Sequence, residues 1–202
     1  ETGDMQISQS ELEVIDGATL TVGDTTNTSA ISVEDVDTTS ATIGGLVTLI
    51  TGNITGLSDH IDFAGTNVFN ELLVNSDDDI IFADDASIET LTGGATFVGD
   101  SNDGTVGNFD MGARSSVDTN GNDINVTALD VNMGEDSLLG SEGGDINITA
   151  NDHAGTGAEE GNVTLAGGAM IDADGGNIVI DNDAIFFSED DDSVTTHSGG
   201  TI

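Results

Sequence analysis

One short strand is written repeatedly in this chain, and its recurrence limits the folds available more than any other feature. GGDINITA at 143–150 returns as GNDINVTA at 121–128, GNVTLAGG at 161–168 and GGNIVIDN at 175–182. In each copy a glycine precedes a run in which aliphatic and polar residues alternate, as in Ile146/Ile148, Val163/Leu165 and Ile178/Ile180. Period-two alternation sends the aliphatics to one face of a strand and the polar residues to the other. Glycine, Asn and Asp bound each run and supply the positive φ that tight turns need. Ile124, Ile146, Val163, Ile178 and Ile202 mark successive copies at unequal steps. An irregular repeat of this kind, with one glycine-led strand each time, predicts an all-β chain built as a single-stranded parallel β-helix, a β-solenoid with coils of about 15–24 residues. An antiparallel β-sandwich is the alternative, since it too has many short strands. It gives no reason for the recurring GGDI opening, and it commonly places proline at edges, whereas this chain has none.

Helical periodicity is absent, and Thr, Asn, Gly and Asp are dense throughout. Further strands are expected at 18–22, 45–50, 79–82 and 94–98, with 53–74 the least regular stretch and a loop excursion or short helix around 66–74. Residues 1–202 read as one elongated domain or a fragment of one. At roughly 20 residues per coil the chain would make about ten coils and a rod of about 50 Å. The seven phenylalanines, Phe63, Phe69, Phe82, Phe97, Phe109, Phe186 and Phe187, are expected to fill its interior or cap its corners.

Charge then restricts what such a rod can touch. The 39 Asp and Glu residues face a single basic residue, Arg114, for a net charge of −38. A folded chain of that charge repels itself unless salt or bound cations screen it. Nucleic acid is excluded as a partner, because phosphate contacts need Lys and Arg. Anionic membranes are disfavoured for the same reason, and no run is long and apolar enough for membrane insertion. The chain has no cysteine, hence no disulfide and no thiolate chemistry. It opens at Glu1 without a secretory h-region and reads as a mature or excised piece whose export signal, if any, has been removed.

Calcium is the cofactor that the acidic clusters suggest, since it takes six to eight oxygens, often from carboxylates on turns. The candidates are Asp77, Asp78 and Asp79; Asp84 and Asp85; Asp172 and Asp174; Asp181 and Asp183; and Glu189, Asp190, Asp191 and Asp192. The competing reading is a solvated acidic face of a protein living in strong salt. Glycosylation sequons begin at Asn27, Asn53, Asn125, Asn147 and Asn162. Asn147 points opposite to Ile146 and Ile148 and so faces solvent; the alternative is an inward asparagine in a stacked amide ladder. Catalytic inventory is thin. His60, His153 and His197 are isolated, no carboxylate pair stands out from the rest, and a lone Arg114 suits no polyuronate lyase. The chain is therefore expected not to be an enzyme. The Thr-Leu-Thr at 19–21 does not continue as a regular Thr-x-Thr sequence ladder of the ice-binding kind.

Both ends carry pieces of the repeat. Gly3, Asp4, Met5 and Ile7 match the GGDINI pattern, and Gly199, Gly200, Thr201 and Ile202 begin another copy. No polar capping helix is expected at either end, so these residues are candidates for an assembly interface in which uncapped coils stack into a homopolymer. GGDINITA, GNVTLAGG, MIDADGGNIVIDN and GATLTV resemble, most clearly over 121–202, the units of filamentous-haemagglutinin-like adhesins and other giant repetitive extracellular β-helix proteins of bacteria. The resemblance implies a right-handed parallel β-helix, secretion, and a place in adhesion or surface filaments. The expectation that follows is an extracellular or cell-surface structural protein, a subunit or segment of a filament or stalk. The alternative is an adhesive or glycan-binding module on one face of the helix.

Overall fold

A computed structural model describes residues 9–12, 14–39, 42–52, 59–99, 107–150, 161–182, 184–187, 193–195 and 201. It is a parallel β-solenoid with three main sheets, preceded at the first coils by a two-stranded parallel pair, Asp16–Gly17 with Thr42–Ile43. Sheet one holds Leu20–Gly23, Leu46–Ile50, Glu71–Asn75, Ala95–Val98, Ile124–Ala128, Ile146–Ala150 and Ile178–Asp181. Sheet two holds Ala30–Glu34, His60–Ala64, Asp79–Phe82, Phe109–Met111, Val131–Met133, Asn162–Leu165 and Ala184–Phe187. Sheet three holds Thr66–Phe69, Ser87–Thr90, Ser116–Asp118, Leu138–Gly140, Met170–Asp172 and Ser193–Thr195. The chain visits one, two and three in turn and then climbs to the next layer, so every strand pairs in parallel with its counterparts one coil away.

The coil is longer than the sequence spacing implies. Ile124 pairs with Ile146 and Ile146 with Ile178, so one coil runs from Ile124 to Ile146 and a longer one from Ile146 to Ile178. Val163 belongs to sheet two, where it pairs with Val131. The steps from Ile146 to Val163 and from Val163 to Ile178 therefore join strands of different sheets and are not coil lengths. Sheet one has seven strands, so the chain makes about seven coils, not ten, and a stack of roughly 30 Å. Slack in coil length collects at the corner between sheets one and two. Only Leu129 and Asp130 separate Ala128 from Val131, whereas 151–161 separate Ala150 from Asn162. The stretch 66–74 is neither loop nor helix but two strands, Thr66–Phe69 and Glu71–Asn75, with Asn70 as their corner.

Alternation builds the core as vertical ladders. Inward on sheet one, Val47, Leu72, Ala95, Ile124, Ile146 and Ile178 stack in register, each no more than 2% exposed. Aliphatic neighbours about 4.8 Å apart interdigitate without polar atoms, and the burial of such ladders drives folding. Five phenylalanines join this core. Phe63 stacks on Phe82 with centroids 5.1 Å apart, and Phe82, Phe97 and Phe109 meet edge-on or tilted at 5.2–5.9 Å. Phe186 and Phe187 do not; they are 53% and 51% exposed in the last coil.

The paired glycines have two separate jobs. At the corner between sheets three and one, Gly143 and Gly175 adopt φ of 113° and 111°, which L side chains rarely adopt. The second glycine of each pair lies on the coil beneath. A Cβ on Gly144 would collide with the Asn122 carbonyl oxygen, and one on Gly176 with the Gly144 carbonyl oxygen. Inside the same corner, fully buried Thr90, Thr119 and Ser141 donate their hydroxyls to the carbonyls of Gly93, Asn122 and Gly144, three residues on. Hydroxyl residues are used there because the turn leaves a carbonyl pointing into the core.

A cap is present at the first coil, contrary to expectation. Gln9–Leu12 form a single helical turn, and Leu12, 4% exposed, lies over the apolar side chains of Leu20, Ile31 and Phe69 around a small cavity. The Gln9 amide closes the edge beside sheet three. Its Nε2 donates to the Asp37 carbonyl (2.8 Å) and its Oε1 accepts the Asp37 N–H (3.0 Å), while Asp37 bridges to Val68 on its other side.

Candidate interaction faces

Carboxylates at the corners bind the coils to one another. The N–H of Asp145 donates to Asp123 Oδ1 (2.9 Å), and the N–H of Asn177 donates to Asp145 Oδ1 (2.8 Å). The same bond, from a backbone N–H to the carboxylate one coil below, joins Thr66 to Asp35, Asn108 to Asp79, Ala113 to Asp84 and Asn162 to Asp130. At a corner the strand ladder breaks and an N–H loses its carbonyl; an ionised acceptor restores the bond and strengthens it.

That pattern places many of the candidate calcium ligands. Asp78 Oδ2 accepts the Asp59 N–H (3.1 Å), Asp79 and Asp84 hold the next coil as above, and Asp172 accepts the Asp174 N–H (3.0 Å) two residues on. Asp77 is buried at 3% exposed. Asp85 and Asp174 sit in turns with φ of 61° and 42°. Asp85 is also engaged by the one basic residue: Arg114 Nε and Nη2 donate to its two oxygens at 2.7 and 2.9 Å. That guanidinium holds the Asp85 carboxyl below its ordinary value. Asp181 ends the last strand of sheet one and is exposed. Asp183, Glu189, Asp190, Asp191 and Asp192 lie outside the described residues. Among the described residues, no three His, Asp or Glu side chains converge as a metal site.

The sequons are equally dispersed. Asn27 is exposed in a turn, where Asp24 Oδ1 gathers the N–H groups of Thr26 and Asn27, the Thr26 hydroxyl and the Asn27 amide. The Thr26 and Asn27 bonds hold the Asp24 carboxyl at about 2. Asn147 Nδ2 donates to Asn125 Oδ1 (3.1 Å), an amide ladder on the outer side of sheet one. Asn162 is bound through its N–H to Asp130, and Asn53 lies outside the described residues. Of the assembly candidates, Thr201 is described: its carbonyl accepts the N–H of Ile178 at 2.8 Å, repeating the bond from Ile146 to Asn177. Gly3, Asp4, Met5, Ile7, Gly199, Gly200 and Ile202 lie outside the described residues.

The three outer faces differ in charge. Sheet two carries His60, Asp62, Asp79, Asp110 and Asp130 outward, with His60 Nε2 at 3.2 Å from Asp62. Half-buried Asp110 is lifted above the ordinary carboxylate value by burial, opposed by the bond from Asn132 Nδ2 (2.8 Å) and reinforced by Asp79 and Asp130. Sheet three carries Glu89, Asp118 and Asp172. Sheet one is different. Its two middle outward ranks read Thr21, Thr48, Leu73, Thr96, Asn125, Asn147 and Gly23, Ile50, Asn75, Val98, Thr127, Thr149, with no charge before Asp181 in the last coil. Acid returns along both margins, at Glu71, Asp123 and Asp145 on one side and at Asp24, Asp78 and Asp130, at the corner into sheet two, on the other. Sequence reading missed this uncharged strip because its members lie a full coil apart, and the coils are unequal, so they align only once register is known.

Among the described residues, no helix is long and apolar enough to cross a membrane. Comparison with protein-family models, with curated proteins and with solved structures finds no match in any of the three.

Proposed function

We propose that this chain is a structural rod, a segment of an extracellular surface filament or stalk that extends by stacking coil on coil. One observation carries the reading. The inward ladders of sheet two run through every coil and arrive uncovered at the last: Ile185 and Phe187 are 37% and 51% exposed, where their partners Val163 and Leu165 are both 0%. Another coil of the same pattern would cover them and continue the hydrogen bonding that Thr201 begins. Divalent cations would act by screening the net charge of −38 and bridging acidic margins between coils.

The test is negative-stain electron microscopy with parallel light scattering at high sodium chloride, with calcium and after chelation. Rods longer than about 30 Å, growing with concentration, are expected. Monomers at every salt and calcium level would defeat the proposal. Phe187→Asp, which puts a charge on the exposed ladder, should shorten the rods while leaving the fold intact.

A further inference from the structure

On the uncharged strip of sheet one a neutral partner meets carboxylates only at the margins, and the strip has the chemistry of a binding face. Thr48, Thr96, Thr127 and Thr149 present hydroxyls, Asn125 and Asn147 present amides, and all are fixed by the ladder at the strand repeat. The strip is about 30 Å long and about 13 Å wide, roughly 400 Å². That is about half of what one partner contributes to a stable protein–protein interface. A second copy would also bring its own charge of −38 alongside. The dimensions suit a single extended polymer lying along the solenoid axis. Beside Gly94, at one margin of the strip, Glu71, Thr96, Asn122, Asp123 and Asn125 line a polar depression. Two carboxylates at one edge accept hydrogen bonds from hydroxyl donors and repel anions.

We propose that the sheet-one strip binds a neutral, linear polysaccharide, with the Gly94 depression holding one sugar between Glu71 and Asp123. Ring faces would lie on Leu73 and Val98, and hydroxyls would meet the Thr and Asn ranks. Uronic-acid and sulfated polymers are excluded by the same margin that binds the sugar hydroxyls. The proposal is independent of end-to-end stacking.

Affinity electrophoresis tests it at fixed salt, with the protein run through gels containing hydroxyethyl cellulose, galactomannan or polygalacturonate. Retardation by at least one neutral polymer and none by polygalacturonate is expected. Thr96→Glu/Thr127→Glu should abolish it, while Ser87→Glu/Ser116→Glu, with the same added charge on sheet three, should not. If the first pair fails to melt cooperatively, Thr48→Glu alone, at another level of the strip, should weaken the retardation. No retardation by either neutral polymer, equal retardation by polygalacturonate, or equal loss from the sheet-three pair would each overturn the proposal. Rod length by electron microscopy should be unchanged in the strip variants, which separates this test from that of assembly.

Discussion

At the scale of single residues, the acid in this chain is partly mortar. Asp145 holds the Asn177 N–H and, at 3.0 Å, its side-chain amide, while its own N–H is held by Asp123. Asp145→Ala should therefore destabilise by about 1–2 kcal/mol in denaturant melts, and Asp145→Asn, which keeps an acceptor, should recover most of that. Asp110 works the other way. Burial raises its folded value, so the charged form is penalised in the fold. That penalty is fully present above the raised value and is relieved as pH falls toward the ordinary carboxylate value. Asp110→Asn should raise Tm by about 1–2 °C at pH 7, small because the site is half open to solvent, and should have no effect below about pH 3. Equal effects at both pH values would show that charge is not the cause. Asp24 and Asp85, with lowered values, contribute stability that is present above the ordinary carboxylate value. It is lost on acidification, for Asp24 as pH passes about 2. The clusters were visible in the sequence. Their partners were not, because a backbone N–H one coil away leaves no mark on composition.

At the scale of elements, alternation and glycine placement were legible, and coil length was not. Each coil uses three strands, one per sheet, and the sequence does not say when the chain changes sheet. The corners between sheets two and three make the point: Ala83–Ala86, Gly112–Ser115, Gly134–Ser137 and Ala166–Ala169 all close with the same backbone bond, from the last N–H to the first carbonyl. Their third residues, Asp85, Arg114, Asp136 and Gly168, share a positive φ and little else. The turn keeps its geometry while its side chains vary, so no motif announces it. Where contact between coils is closest, the sequence does speak. Gly176→Ala would drive a methyl into the Gly144 carbonyl, and a loss of about 2–3 kcal/mol is expected in thermal or urea melts. Gly44→Ala, where a Cβ meets nothing within 4 Å, is the matched control and should cost far less.

At the scale of the whole molecule, charge sorts by face while the core stays uniform. With −38 on a stack of this size, Tm should climb by several degrees between low and molar sodium chloride, and calcium should reach the same gain at far lower concentration if acidic margins bridge. A melt insensitive to both salts would show that charge repulsion does not limit the stability of the stack. The uneven coils have a mechanical meaning as well. Strands in this stack lie across the axis, so a pull on the two ends peels one layer at a time instead of shearing all of them together. A layer released from the Ile124 level frees the chain as far as Ile146, about 75 Å when extended, and one released from the Ile146 level frees it as far as Ile178, about 110 Å. Stretched singly between a surface and a cantilever, the rod should lengthen in a sawtooth whose unequal teeth spell out the coil lengths in order.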